Sequence, residues 1–288
     1  MQLATCDLPY DFHVHTYYSP CARELDEEGL PLAAPERHLA RAAELGLKAI
    51  AFTDHFVQDP TAPGVVLFYK GTGPAMLANL RTELARLNLP PQVEVLVGCE
   101  TETMRADWVG IDREFARTVD IVLVATSHYH LPGLPRPPSW APADVAAHML
   151  DMLEAVVRLS YIDAVAHPFA NDENLIGDLR AIYEAMSRAR LEDVLGLAVD
   201  RGVALEVNGA ALVSEGMPHY PVIYAEICRT AKPLGVRFLY GSDAHDYRQL
   251  GMRPEVARWI EGVGLVEADF LVPDDLRARI TRHGIGTR

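Results

Sequence analysis

The chain has 288 residues, 49% of them apolar, enough for a large core and suited to one α/β domain of barrel size. Its formal net charge of −14 excludes an extended basic face for nucleic acid and makes any anionic substrate depend on a local cluster of cations. Neither a signal-peptide pattern nor a bilayer-length apolar run is read, and Cys6, Cys21, Cys99 and Cys228 suggest no disulfide framework, so a cytoplasmic protein with reduced thiols and no membrane partner is expected.

Short apolar strands alternate with helical segments, and no linker, low-complexity tract or repeat divides them. One domain over 1–288 is therefore expected. Strand 8–15 (LPYDFHVH) is followed by a helix over 35–45, opened by Pro35 and closed by Gly46. Strand 47–55 precedes a helix near 74–88 with Leu77, Leu80, Leu84 and Leu87 on one stripe. Strands 93–100 and 120–128 come next. A helix over 142–160 then presents Val145, Met149, Met152, Val156 and Val157 on one broad face. Strand 161–168, helices 178–190 and 192–200, strand 202–208, helix 220–232, strand 236–243 and helix 254–261 complete the pattern. Most strands are nearly continuous runs of Val, Ile, Leu and Ala, as expected of parallel strands buried on both faces. The alternation predicts a parallel sheet with helices outside. Seven strands without a break predict a closed or nearly closed barrel, with an open doubly wound sheet as the alternative.

Polar side chains collect at the C-terminal ends of these strands. The first ends in His13 and His15, the second in Asp54 and His55, the third in Glu100, the fourth in His128 and the fifth in His167. The sixth ends in Glu206 and Asn208, and the seventh in Asp243 and His245. In parallel barrels these ends converge on one face, where active sites lie. His13 and His15, two apart on a strand, point the same way and can chelate one ion. Imidazoles with carboxylates make a general divalent transition-metal site. The candidate ligands outnumber what one four-coordinate zinc needs, so at least two metals are expected.

The motifs DFHVHT, FTDH, GCE, SHY, AHP and GSDAH, in this order from residue 11 to 245, strongly resemble the PHP family, named for polymerase and histidinol phosphatase. The resemblance implies a distorted (β/α)₇ barrel and a metal-dependent phosphoesterase with two or three divalent ions (Zn, Mn or Fe). It implies His13, His15, Glu100 and Asp243 around one ion, Glu100 bridging to a second held by His128 and His167, and His55 and His245 on a third. Many three-metal members carry another histidine where this chain has Cys21. A thiolate binds zinc well, so Cys21 is a candidate ligand, with a small unligated residue as the alternative reading. The placing of Glu206 and Asn208 before the last motif fits the histidinol-phosphatase-like branch.

The expected reaction is hydrolysis of a small phosphate monoester, histidinol phosphate or another metabolite, with a metal-bound hydroxide as nucleophile. Asp54 is expected to orient a ligand, since ligating imidazoles commonly donate their other N–H to a carboxylate, with a cap or turn residue at the strand exit as the alternative. His130, two residues after His128, is a candidate substrate contact or proton donor, with a plain loop residue as the alternative. Asn208 could contact a ligand or hold Glu206, with both residues satisfying loop backbone as the alternative reading. Arg23, Lys70, Arg105 and Arg248 are candidate phosphate contacts, each set against a solvated surface charge, and His219 is a candidate for the pocket mouth. His38, His148 and His283 are read as helix or tail residues without a catalytic role.

Three other readings compete. A nucleotide phosphoesterase or nuclease is opposed, for long substrates, by the acidic charge and the absence of a polymerase region. An amidohydrolase-like C–N hydrolase would usually want a bridging lysine, and no strand exit offers one. A non-catalytic binding module is opposed by the nearly full ligand set.

Overall fold

The computed structural model describes residues 8–105, 107–126 and 128–282; Cys6 and His283 lie outside them. The strands are β1 Tyr10–Val14, β2 Ala49–Phe52, β3 Glu94–Val97, β4 Cys99–Arg105, β5 Trp108–Val109, β6 Val122–Ala125, β7 Ala164–Ala166, β8 Ala204–Asn208 and β9 Phe238–Gly241. They form a three-stranded sheet, β1-β2-β3, and a six-stranded sheet, β5-β4-β6-β7-β8-β9. Every pairing is parallel except that of β4 with the two-residue β5.

The predicted third strand is thus two strands in two sheets, broken at Gly98. A Cβ there would collide with the side chain and carbonyl of Ile121, so only glycine lets the chain pass so close to its neighbour. The sheets still meet at both seams. Single parallel bridges join His55 to Glu100 and Val14 to Ala244, and Asp243 N–H donates to the His13 carbonyl at 2.8 Å. The arrangement is mixed α/β with parallel strands, and its ladder is not continuous around a ring.

The strands bury both faces, which explains their unbroken apolar runs. One face packs on itself with small side chains, among them Ala49, Ala51, Ala125, Ala164, Ala166 and Ala204, filled out by Phe12, Leu123 and Leu239. The other, through Val124, Val165 and Leu205, meets Met149, Leu153, Leu195 and Ile227 of the surrounding helices. The helix Pro35–Leu45 begins with its proline and ends on Gly46 in the left-handed region, φ 71°, as the sequence predicts. The stretch 74–88 is helical only over Pro74–Leu84, and 142–160 over Pro142–Val157. No helix among the described residues is long and apolar enough to cross a membrane.

Candidate metal centre

His13 is on β1 and Glu100 on β4, while most other candidate ligands lie just past strand ends. His167 and Asp243 have φ of 28° and 58°, a region that L-residues adopt rarely and at a cost, often at functional sites. This backbone cannot continue a strand; it turns each side chain across the strand ends. The result is a buried cluster around Glu100. His13 Nε2 and His15 Nε2 are 3.1 Å apart, and each is 3.5 Å from Glu100 Oε2. Asp243 Oδ1 closes the group, 3.1 Å from His15 Nε2. The other carboxylate oxygen, Glu100 Oε1, lies 2.8 Å from His167 Nε2.

Three overlapping groups have ligand atoms within 4.8 Å of one another: His13, His15 and Glu100; Glu100, His128 and His167; and His15, Cys21, His55 and His245. Cys21 Sγ is 3.1 Å from His245 Nε2. The donor chemistry suits divalent transition ions. Two buried atoms at the middle, His55 Nδ1 and Glu100 Oε2, make no hydrogen bond, although they lie 2.9 Å apart. Buried polar atoms rarely go unsatisfied, and a shared cation would satisfy both. The residues present therefore fit a multinuclear site.

Further groups hold the imidazoles from behind. Glu206 Oε1 accepts from His13 Nδ1 at 2.7 Å, and Glu206 Oε2 accepts from the backbone N–H of His167 at 2.5 Å. Asn208 Nδ2 donates to Glu206 at 3.2 Å and to Asp243 at 3.3 Å. Asp54 accepts from Thr16 Oγ1 and Ser19 Oγ, each at 2.6 Å, and Ser19 Oγ is 3.1 Å from His15 Nδ1. Asp54 therefore reaches His15 through Ser19. Glu102 Oε2 accepts from His128 Nδ1 at 2.6 Å. The sequence reading missed Glu102 and Ser19. The Glu102 signal was present: it is two residues from Glu100 on one strand, hence on the same face.

The electrostatics reflect this crowding. Burial pushes the His13 imidazole down, but Glu206, Asp243 and Glu100 outweigh it and hold the group well above its usual range. His167, held by Glu100 against burial, rises to about 9. Burial and the neighbouring His167 push His128 down to about 4. Burial, with His245 and His55, pushes His15 well below its usual range. Burial raises the Glu102 carboxyl, and Glu100 adds to it.

A cavity of about 220 Å³ opens in front of the cluster; besides the candidate ligands it is lined by Phe68, His130 and Leu131. Burial and His128 push His130 down to about 4. Arg23, Lys70, Arg105 and Arg248 are not among the cavity's lining residues. Arg105 stacks over Trp108 and pairs with Asp107, while Arg248 pairs with Asp246. His219 bonds Glu173 at 2.8 Å and is also absent from the lining. His148 Nδ1 is 2.8 Å from the Tyr129 hydroxyl, and His38 is buried on its helix.

No family model matches the chain. Curated relatives do. The chain is 27% identical over 263 residues to a Vibrio vulnificus protein named "Probable phosphatase", covering 90% of this chain and 86% of that one. It is 25% identical over 271 residues to one of the same name from Thermoanaerobacter sp., covering 93% and 91%. These relatives support a phosphatase.

Among solved structures, histidinol phosphate phosphatase of Lactococcus lactis, complexed with zinc, L-histidinol and phosphate, superposes with a TM-score of 0.56 at 15% identity, covering 96% of this chain and 94% of that one. That likeness concerns the fold.

Proposed function

We propose that this chain is a PHP-type enzyme of distorted (β/α)₇ barrel form that hydrolyses small phosphate monoesters with two or three divalent ions. The observation that carries the reading is the convergence of donor groups on Glu100, which belongs to two of the three overlapping groups and whose Oε2 lies 2.9 Å from His55 Nδ1 and 3.5 Å from His15 Nε2 of the third. In this reading His13, His15, Glu100 and Asp243 hold one ion, Glu100, His128 and His167 a second, and Cys21, His55 and His245 a third. His15 is counted with the first because its Nε2 lies 3.1 Å from both His13 Nε2 and Asp243 Oδ1. The third set, two imidazoles and a thiol, matches the three-ligand, open-position pattern of catalytic zinc.

Bound divalent ions would bring the pKa of water to about 7 and neutralise phosphoryl charge. The protein's own part is positioning. Glu206, Ser19 with Asp54, and Glu102 each fix one nitrogen of an imidazole and leave the other facing the cluster. His130 stands at the cavity wall, where its ring can hydrogen-bond the substrate.

The test is a panel of phosphomonoesters, phosphodiesters, nucleotides and amides, assayed with added manganese or zinc. Monoesters should turn over fastest, and a chelator should abolish the rate. Turnover of amides with no phosphate ester hydrolysed would reject the reading.

A further inference from the structure

The metal cluster accounts for a phosphoryl group but leaves open what that group is attached to. The cavity of about 220 Å³ is smaller than the usual 300–1,000 Å³ of ligand sites, so it holds only the part of a leaving group next to the phosphoryl group. Its walls beyond the ligands are built from two loops. Phe68, in the 3₁₀ turn Leu67–Gly71, sets its ring edge-on to His55 with centroids 4.8 Å apart. Phe68 and Leu131 pack on one apolar cluster that includes Val57, Val66 and Leu134. The loops also touch directly: a Cβ at Gly133, whose φ is 95°, would lie 2.8 Å from the Val66 side chain. The apolar wall is therefore one interlocked unit.

Charge acts in the same direction as this apolar wall. Among the described residues, none that lines the cavity is Lys or Arg. Its carboxylates, Glu100 and Asp243, are taken up by the ions in this reading, while Asp172 is near enough to act on the His130 ring. In the same reading the ions bind the phosphoryl group. A further anion on the leaving group would be desolvated against Phe68 and Leu131 with no Lys or Arg in the lining to pair with it, which is costly.

We propose that Phe68 and Leu131 form the leaving-group wall and select monoesters of small alcohols that carry no second anionic group. Bisphosphates, phosphorylated carboxylic acids and nucleotides are disfavoured. This rests on the phosphatase reading above.

The test compares kcat/KM of the metal-loaded enzyme for phenyl phosphate and for a carboxyphenyl phosphate. The expected preference for the uncharged ester is about tenfold or more. Phe68→Ala should raise KM for phenyl phosphate, and Leu131→Arg should shift the preference towards the carboxylate ester. Metal content by elemental analysis and the inhibition constant for inorganic phosphate report whether the centre is intact in both variants. Equal efficiency on the two esters, or an unchanged preference in both variants, would overturn the leaving-group assignment alone. Full metal content with no phosphomonoester turned over would remove the phosphatase reading, and this proposal with it.

Discussion

Glu206 grips two candidate ligands at once: one carboxylate oxygen accepts from His13 Nδ1 and the other from the backbone N–H of His167. It sits on β8, between β7 and β9 in the sheet, and ties the ring of one ligand to the main chain of another. Glu206→Gln keeps the size but removes the charge, and one of its contacts must change sign. Metal affinity should fall by about 10–100-fold, read by competition with a chelating dye. Unchanged affinity would mean that Glu206 only fills space.

Gly241 tests the same region by packing. A Cβ at this position would collide with His13 and with the Glu206 carboxylate. Gly241→Ala should cost about 1–3 kcal/mol of stability and weaken metal binding in the same protein. Denaturant titration and elemental analysis read the two effects. A variant as stable and as metal-rich as the parent would contradict the packing described.

Cys21 is the chain's departure from an all-histidine and carboxylate donor set. Its Sγ lies 3.1 Å from His245 Nε2. Cobalt loaded into the protein should show thiolate-to-cobalt charge-transfer absorption, and Cys21→Ser should lose that absorption together with one tightly held ion. Identical spectra in the two proteins would assign Cys21 to the cavity wall only.

His38 is fully buried on the helix Pro35–Leu45, and burial pushes its pKa down to about 4. Its unfolded value is about 6.5, so between these values the unfolded chain binds more protons than the folded one. Stability from the neutral ring is complete above about pH 6.5 and is lost as pH falls towards about 4. The loss amounts to about 3 kcal/mol at most. In His38→Gln, Tm should fall less between neutral pH and about pH 5 than in the parent. Equal falls in both proteins would contradict this.

The candidate site was more legible in the sequence than the sheet around it. Imidazoles and carboxylates stand out because they close apolar runs, and a parallel fold brings those ends together. Strand limits were less legible. His55, His128, His167 and Asp243 were read as strand ends but lie one to three residues beyond them. The turning backbone there is set by the tertiary cluster, which no local propensity reports. The break at Gly98 was missed because valines and a cysteine flank it in one apolar run. β5 has two residues, too few for a period to show. Glu102 was legible and overlooked: the alternation Glu100-Thr101-Glu102 places two carboxylates on one face.

The most direct test of the account is crystallography of zinc- or manganese-loaded protein with data collected at the metal absorption edge. Anomalous peaks should fall inside the cluster, with one on either side of the Glu100 carboxylate and a further peak beside Cys21, His55 and His245. Well-occupied peaks elsewhere on the molecule, with none touching Glu100, would contradict it.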